Sequence, residues 1–392
     1  MISILNSEIQ KFINQNLKND FHQLSLKKNP FPEIDYRLIL QQIESKNKAK
    51  TKIPTWYNTE NLIYPEKISL EQCSSEATAR YKSSFLAGKK LIDLTGGMGV
   101  DTYFLSHNFE NVFHCEHNRT LSEITSLNFK TLNAHNIQCF AKDGIGLLEQ
   151  LNQKFDWIYI DPSRRDDAKR KVFLLEDCIP NVVEQQEKLF RYTDKILIKL
   201  SPMYDITTGV RELKNIKNIH IVALHNEVKE VLFELDKLVI NKSVKIITAN
   251  IEERNTQLFE STIEANQTAQ IHYTLPLAYL YEPNVAVMKS QCFSALGKHY
   301  NLAKLHPNSH LYTHNDSFDF VGKVYKINEQ ITYNKHNIKA LIGSKAVVKT
   351  RNFPESVEQL RKKWKIKEGS EQYYFFTTDI NEQKIVLICQ KI

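Results

Sequence analysis

Between Leu91 and Asn250 short apolar runs alternate with helix-type patterns, and this alternation constrains the fold more than any other feature of the chain. The runs are LIDL (Leu91 to Leu94), NVFHCE (Asn111 to Glu116), IQCFAKD (Ile137 to Asp143), WIYID (Trp157 to Asp161), ILIKL (Ile196 to Leu200), HIVAL (His220 to Leu224) and VKIITAN (Val244 to Asn250). Helical spacing separates most of them, as over Leu121 to Ala134 and Val172 to Tyr192. A parallel strand pair needs a crossover long enough to bring the chain back, so strands punctuated by helices predict an α/β fold built on a doubly wound parallel sheet. Glu227 to Leu235 satisfies both periodicities and reads equally as helix or strand.

With 392 residues the chain exceeds a single core of roughly 100 to 200 residues, so flanking domains are expected. Residues 1–72 read as a helical front piece, with Ile4, Leu5, Ile9, Phe12, Ile13 and Leu17 at helical spacing followed by a proline-rich stretch. A further helix is expected over SSEATARYKSSFL, so the central domain runs over 73–252. The polar stretch Asn255 to Gln270 reads as a linker or an edge hairpin, and 272–392 as a C-terminal α+β domain of short strands, aromatic pairs and basic clusters. Six scattered cysteines without a C-x-x-C pair indicate neither a disulfide framework nor a metal site, and point to a reducing cytoplasm. No apolar run approaches the roughly 18–20 residues that span a bilayer, so no membrane partner is expected.

The most informative segment is DLTGGMGVD, Asp93 to Asp101. Only 11 of the 392 residues are glycine, yet Gly96, Gly97 and Gly99 fall within four positions at a strand end. Glycines there let the backbone turn sharply and bring a ligand against main-chain N–H groups; a tight structural turn is the plainer reading. Acidic residues recur at the ends of the following strands, with Glu116 after the second, Asp143 after the third and Asp161 after the fourth. In an open α/β sheet these ends form the ligand crevice, although caps and turns also favour carboxylates. The rim suits an adenosine ligand: Glu116 can accept both ribose hydroxyls, and Asp143 with Gly144 can meet the adenine edge. A nicotinamide cofactor would use the same first two elements.

These segments resemble the class I S-adenosylmethionine-dependent methyltransferases from Cys73 to Asn250. The resemblance makes DLTGGMGVD the first cofactor motif, with Asp93, Thr95, Gly96, Gly97, Gly99 and Asp101 as cofactor-binding residues. It makes Glu116 the ribose acid, KDG (Lys142 to Gly144) the adenine contact, and DPSRRD (Asp161 to Asp166) the catalytic motif. Together SSEATARYK, DPSRRD, LEDC, KLSP, YEPN, MKS and RNFP are similar to a bacterial methyltransferase family with a THUMP-like C-terminal domain. That similarity implies a Rossmann-like core with S-adenosyl-L-methionine as cofactor and a C-terminal region related to RNA-binding modules; the cysteine and histidine spacing leads to the expectation of no metal.

DPSRRD departs from the D/N-P-P-aromatic pattern of amino methyltransferases, because Ser163 and Arg164 stand where the second proline and the base-stacking aromatic would be. Asp161, Pro162, Arg164, Arg165 and Lys199 are the expected catalytic set. The arginines suit a phosphate clamp, or pair with neighbouring acids. Lys199 ends an apolar strand where burial could make it a proton acceptor, unless it snorkels to the surface. Lys82, Asp161, Lys199 and Glu227 or Glu230 resemble, in order, the Lys-Asp-Lys-Glu tetrad of ribose 2′-O-methyltransferases.

The charge is uneven. His272 to Ile392 holds 17 Lys and Arg against 10 Asp and Glu, while the remainder is balanced at 35 against 35. Arg361, Lys362, Lys363, Lys365 and Lys367 surround Trp364, and Lys335, Lys345, Lys349 and Arg351 extend the excess. RNA is the expected partner and substrate; a solvated helix face with Val357, Leu360 and Trp364 turned to a core is the plainer alternative. The expected activity is methyl transfer to RNA, against a non-catalytic RNA-binding protein or a nicotinamide-dependent oxidoreductase.

Overall fold

The computed structural model describes residues 2–164, 174–239 and 243–392. Its contacts divide the chain into two compact units, one of Met1–Ile216 with Val231–Ile240 and one of Lys217–Glu230 with Asn241–Ile392. The expected α/β sheet is present. Its strands are β1 (Gly88–Asp93), β2 (Phe109–Cys115), β3 (Ile137–Phe140), β4 (Trp157–Ile160), β5 (Lys195–Leu200), β6 (Ile216–Leu224), β7 (Glu227–Asp236), β8 (Lys245–Ile251) and β9 (Thr256–Thr262). They lie in the order β9-β8-β6-β7-β5-β4-β1-β2-β3. Pairing is parallel from β3 through β2, β1 and β4 to β5 and again between β6 and β8, and antiparallel for β5 with β7 and β8 with β9.

The ambiguous segment is thus a strand. Seven successive residues, Glu230 to Asp236, are buried, whereas an amphipathic helix would expose one face. His225 and Asn226, both at positive φ, make the two-residue turn from β6 into β7, the geometry that matches strand twist.

In the first unit, α1 (Ser7–Gln15) and α2 (Tyr36–Lys52), capped by Asn6 and Asp35, pack through Ile9, Ile13, Ile39 and Ile43. Then come α3 (Glu76–Ser83), α4 (Val100–Ser106), α5 (Arg119–Thr131), α6 (Gly144–Leu151) and α7 (Val182–Leu189). Of the helix expected over Val172 to Tyr192, positions 172–173 lie outside the described residues, and among the rest the α-helix starts at Val182, behind an Asn181 cap. Pro180 lacks an N–H and disfavours helical backbone at the residue before it.

In the second unit, Asn255 to Gln270 forms the edge strand β9 and a short helix, α8 (Ile263–Thr268). A second sheet follows from β10 (Tyr279–Pro283), β11 (Tyr312–His314), β12 (Gly322–Thr332), β13 (Val347–Arg351), β14 (Gln372–Thr378) and β15 (Lys384–Lys391). A two-residue strand at 303–304 leads the order, followed by β11-β10-β12-β15-β14-β13. Helix α9 (Val357–Trp364), with a capping box of Ser356 and Gln359, buries Leu360 and Trp364 against Val348, Tyr374 and Phe376.

Candidate active site

Asp93 closes β1 but turns inward. Its Oδ1 accepts the Thr95 N–H at 3.0 Å and its Oδ2 the Thr102 hydroxyl at 2.6 Å. Burial pushes this carboxyl up to about 7, against the pull of those hydrogen bonds. Asp93 therefore shapes the loop from below.

The three glycines do different work. A Cβ on Gly96 would lie 2.2 Å from His114 Nε2, and one on Gly99 2.4 Å from Phe129 Cζ, so both are fixed by packing beneath the loop. Gly97 has φ +55° and nothing within 4 Å of its would-be Cβ, so only there does the loop face open space. The Gly97 N–H donates to Glu116 Oε2 at 3.0 Å, and Glu116 Oε1 accepts the Asn118 N–H at 2.7 Å. Glu116, directly beyond β2, thus points at the glycine turn.

Asp143 lies three residues past the end of β3. It caps α6 by accepting the Gly146 N–H at 2.7 Å, a structural use that draws on the same backbone donors a ligand would. Gly144 has no room for a side chain, since its Cβ would stand 2.3 Å from Leu94 O.

Asp161 follows β4, and its N–H donates to Thr95 Oγ1 at 2.6 Å. Pro162 behind it is buried. The side chain of Arg164 and the whole of Arg165 lie outside the described residues. Lys199, near the end of β5, places Nζ 2.5 Å from Asp161 Oδ2, 3.0 Å from Ser74 Oγ and 3.5 Å from Asp101 Oδ2. Lys82, fully buried on α3, brings Nζ within 3.1 Å of Asp101 Oδ1. The Ser74 and Tyr159 hydroxyls both donate to Asp101 Oδ2 at 2.7 Å.

These contacts form one buried charge network of two ammonium groups and two carboxylates. Burial pushes the Asp101 carboxyl up, but Lys82, Lys199 and the two hydroxyls outweigh it and hold the group well below the usual carboxylate range. Asp161 is the open end, with 36% of its side-chain surface exposed. An ammonium wedged between two carboxylates is a poor proton acceptor, so Lys199 is placed to orient Asp161 instead.

Of the expected tetrad, Lys82, Asp161 and Lys199 come together, and the acid that joins them is Asp101. Glu227 is exposed and pairs with Lys229, and Glu230 is buried in the second unit. Ser74 and Tyr159 were not legible as site residues. Ser74 is one serine of a pair before a helix, and Tyr159 sits mid-strand like any core aromatic.

Part of the basic segment of the second unit is committed to its own fold. Arg361 donates to the carbonyls of Ala346 and Ile366, and Lys363 to Glu355 and Tyr333. Trp364 is buried, with Nε1 donating to the Tyr333 hydroxyl; it packs rather than offering a stacking face. Lys362, Lys365 and Lys367 are exposed. Among the described residues no helix is long and apolar enough to cross a membrane, and no His, Cys, Asp and Glu cluster could hold a metal ion.

The chain is similar over 98% of its length, at 29% identity and a TM-score of 0.86, to a “putative methyltransferase” of Porphyromonas gingivalis W83 known from a crystal structure, 97% of which is covered. An rRNA methylase of Streptococcus thermophilus aligns at 17% identity over 42% of this chain and 96% of its own, with a TM-score of 0.31. None of the curated proteins compared matches. A ferredoxin-like domain model matches residues 279–320, and a THUMP domain-like model matches residues 322–391. The chain thus shares its fold with that Porphyromonas protein along nearly its whole length, and its C-terminal part carries ferredoxin-like and THUMP-like domains.

Proposed function

We propose that this protein is an S-adenosylmethionine-dependent methyltransferase acting on RNA. The observation that carries the reading is the glycine turn, with Gly97 open to space and Glu116 beside it, set next to the Asp101-centred charge network. The turn fits an adenosyl ligand because a side chain is excluded beneath Gly96 and Gly99 while the space over Gly97 stays clear. Glu116 would hold the ribose hydroxyls, and Gly144 with the Asp143 cap would border the adenine. Asp93 and Thr95 act through the shape of the turn. When bound, S-adenosylmethionine supplies a methyl group already activated by its sulfonium.

The chain's own task is then alignment and management of the acceptor's proton. Lys199 occupies Asp161 Oδ2, and Oδ1 has no partner among the described residues. Oδ1 is thus available to accept a hydrogen bond from the N–H or O–H of the methyl acceptor. Lys82, Asp101, Ser74 and Tyr159 hold Lys199 in place from behind. RNA is the favoured acceptor because the positive excess of the chain lies entirely in the region that carries the THUMP-like domain.

Calorimetry with S-adenosylhomocysteine, NAD and NADP tests the cofactor. Binding of the first alone is expected, and binding of NAD or NADP alone would overturn the reading. Transfer of labelled methyl to total RNA tests the reaction, with Asp161→Asn expected to abolish transfer while leaving S-adenosylhomocysteine affinity within about threefold. Labelling of protein or small molecules with none in RNA would remove RNA as substrate.

A further inference from the structure

Two sequence motifs with no evident chemistry, YEPN and RNFP, meet in the second unit. Glu282 of the first is 6% exposed. It accepts from Arg351 Nη2 of the second at 2.9 Å, from the Tyr325 hydroxyl at 3.1 Å and from Lys349 Nζ. Glu282, Lys349 and Arg351 line a half-open groove of about 1130 Å³, whose wall also includes Lys323, Gln257, Met288 and Phe318.

The floor of the groove is tied together by hydrogen bonds. Asn284 donates to Gln257 Oε1 at 3.1 Å, Gln257 donates to the Gly322 carbonyl at 3.2 Å, and Asn226 Oδ1 accepts the Val285 N–H at 3.0 Å. The cations are in surplus on one side. Lys323, Lys349 and Arg351 act on one another around the single buried carboxylate of Glu282. Glu252 and Asp319 also belong to the lining; Glu252 is held by Asn250 at 2.8 Å, and Asp319 is exposed. Arg351 commits only Nη2 to Glu282, so Nε and Nη1 have no partner among the described residues. With one Nη2 N–H held by a buried acid, the other Nη2 N–H and its neighbour, Nε–H or Nη1–H, remain as one edge of two parallel donors at the spacing of phosphate oxygens. Half-buried Met288 adds apolar surface to the lining, and Phe318, stacked on Tyr281 at 4.9 Å, belongs to an aromatic cluster at its border.

We propose that this groove, rather than the basic face of α9, binds the phosphodiester backbone of a single-stranded RNA segment, with Arg351 and Lys323 as the phosphate contacts. The assignment rests on the reading that the substrate is RNA. The groove exceeds the roughly 300–1,000 Å³ of compact small-molecule sites and is open to solvent, which suits a strand better than an enclosed metabolite. Glu282 is a positioning residue: it aims Arg351 and Lys349 without meeting the ligand.

The test is fluorescence anisotropy of the full chain with a labelled single-stranded RNA oligonucleotide across a potassium chloride series. Lys323→Ala with Arg351→Ala should weaken binding about tenfold or more at low salt and flatten the log-log salt slope by about 1.4, roughly 0.7 for each phosphate that is no longer neutralised. Lys323→Glu is the second variant, because Lys323 is exposed and forms no ion pair among the described residues; it should weaken binding even if the double variant misfolds. Unchanged affinity and slope in Lys323→Glu would overturn the proposal, as would competition by poly-glutamate or by a free nucleoside monophosphate as effective as that by unlabelled RNA. Because the readout needs no cofactor, a wild-type protein that fails to bind S-adenosylhomocysteine sinks the methyltransferase reading while leaving this result to stand or fall alone.

Discussion

Asp101→Asn is the sharpest perturbation of the charge network, because one carboxylate serves two ammonium groups. The amide keeps the volume and can still accept from Ser74 and Tyr159, but Lys82 loses the carboxylate at 3.1 Å while remaining fully buried. Removing one member of a buried ion pair typically costs about 3–5 kcal/mol, and that loss is expected here. Lys82→Met should cost less, about 1–2 kcal/mol, because Asp101 retains Lys199 and both hydroxyls and the methionine fills similar volume. The double variant should be more stable than the sum of the two losses implies, by about 1 kcal/mol or more. Guanidinium unfolding in a Trp364→Phe background reads this out, since Trp56 and Trp157, in the same unit as the network, are then the remaining tryptophans. If Asp101→Asn unfolded within about 1 kcal/mol of its parent, or if the two losses simply added, the network would not be the cooperative unit argued above.

Other expectations follow from the same geometry. Gly96→Ala must displace the His114 ring and should cost about 1–3 kcal/mol, as overpacking does. Gly97→Ala meets no atom and should cost only the roughly 1 kcal/mol of a left-handed backbone, yet its methyl enters the proposed cofactor space; thermal melts and calorimetry together should show small destabilisation with at least tenfold weaker S-adenosylhomocysteine binding. Unchanged cofactor affinity in Gly97→Ala would move the cofactor elsewhere. For Asp93, burial raises the folded-state carboxyl to about 7, so between the ordinary carboxylate range and pH 7 the folded state holds a proton that the unfolded state has lost. Its contribution to stability is therefore full at low pH and declines as pH rises through that window. His114 acts in the opposite sense, since burial lowers it to about 4 and its neutral folded form loses stability as pH falls. Asp93→Asn should thus make stability climb more steeply from about pH 4 to 7 in melts taken across that range; an unaltered profile would contradict a protonated Asp93.

Much of this architecture is written in local patterns. Alternating apolar runs announced a doubly wound sheet because strand and helix periodicities depend on neighbours a few residues away. The clustering of Gly96, Gly97 and Gly99 marked the turn for the same reason. The edge strand and helix after Asn255, and the strand Glu227–Asp236, were less legible. For Glu227–Asp236 the decisive quantity is burial on both faces, and for the largely exposed strand Thr256–Thr262 it is pairing with β8; no local window contains either.

The sequence by itself determined which backbone could turn where, and which acids would stand near the ends of strands. Only the tertiary structure decided what those acids do, because electrostatic roles depend on distances between residues far apart in the chain. Asp93 became a buried prop, Asp143 a helix cap, and Asp101 the hub linking Lys82 on a helix to Lys199 on a strand 98 residues away. The same holds in the second unit, where a glutamate and an arginine separated by 69 positions turn two mute motifs into one anchored cation.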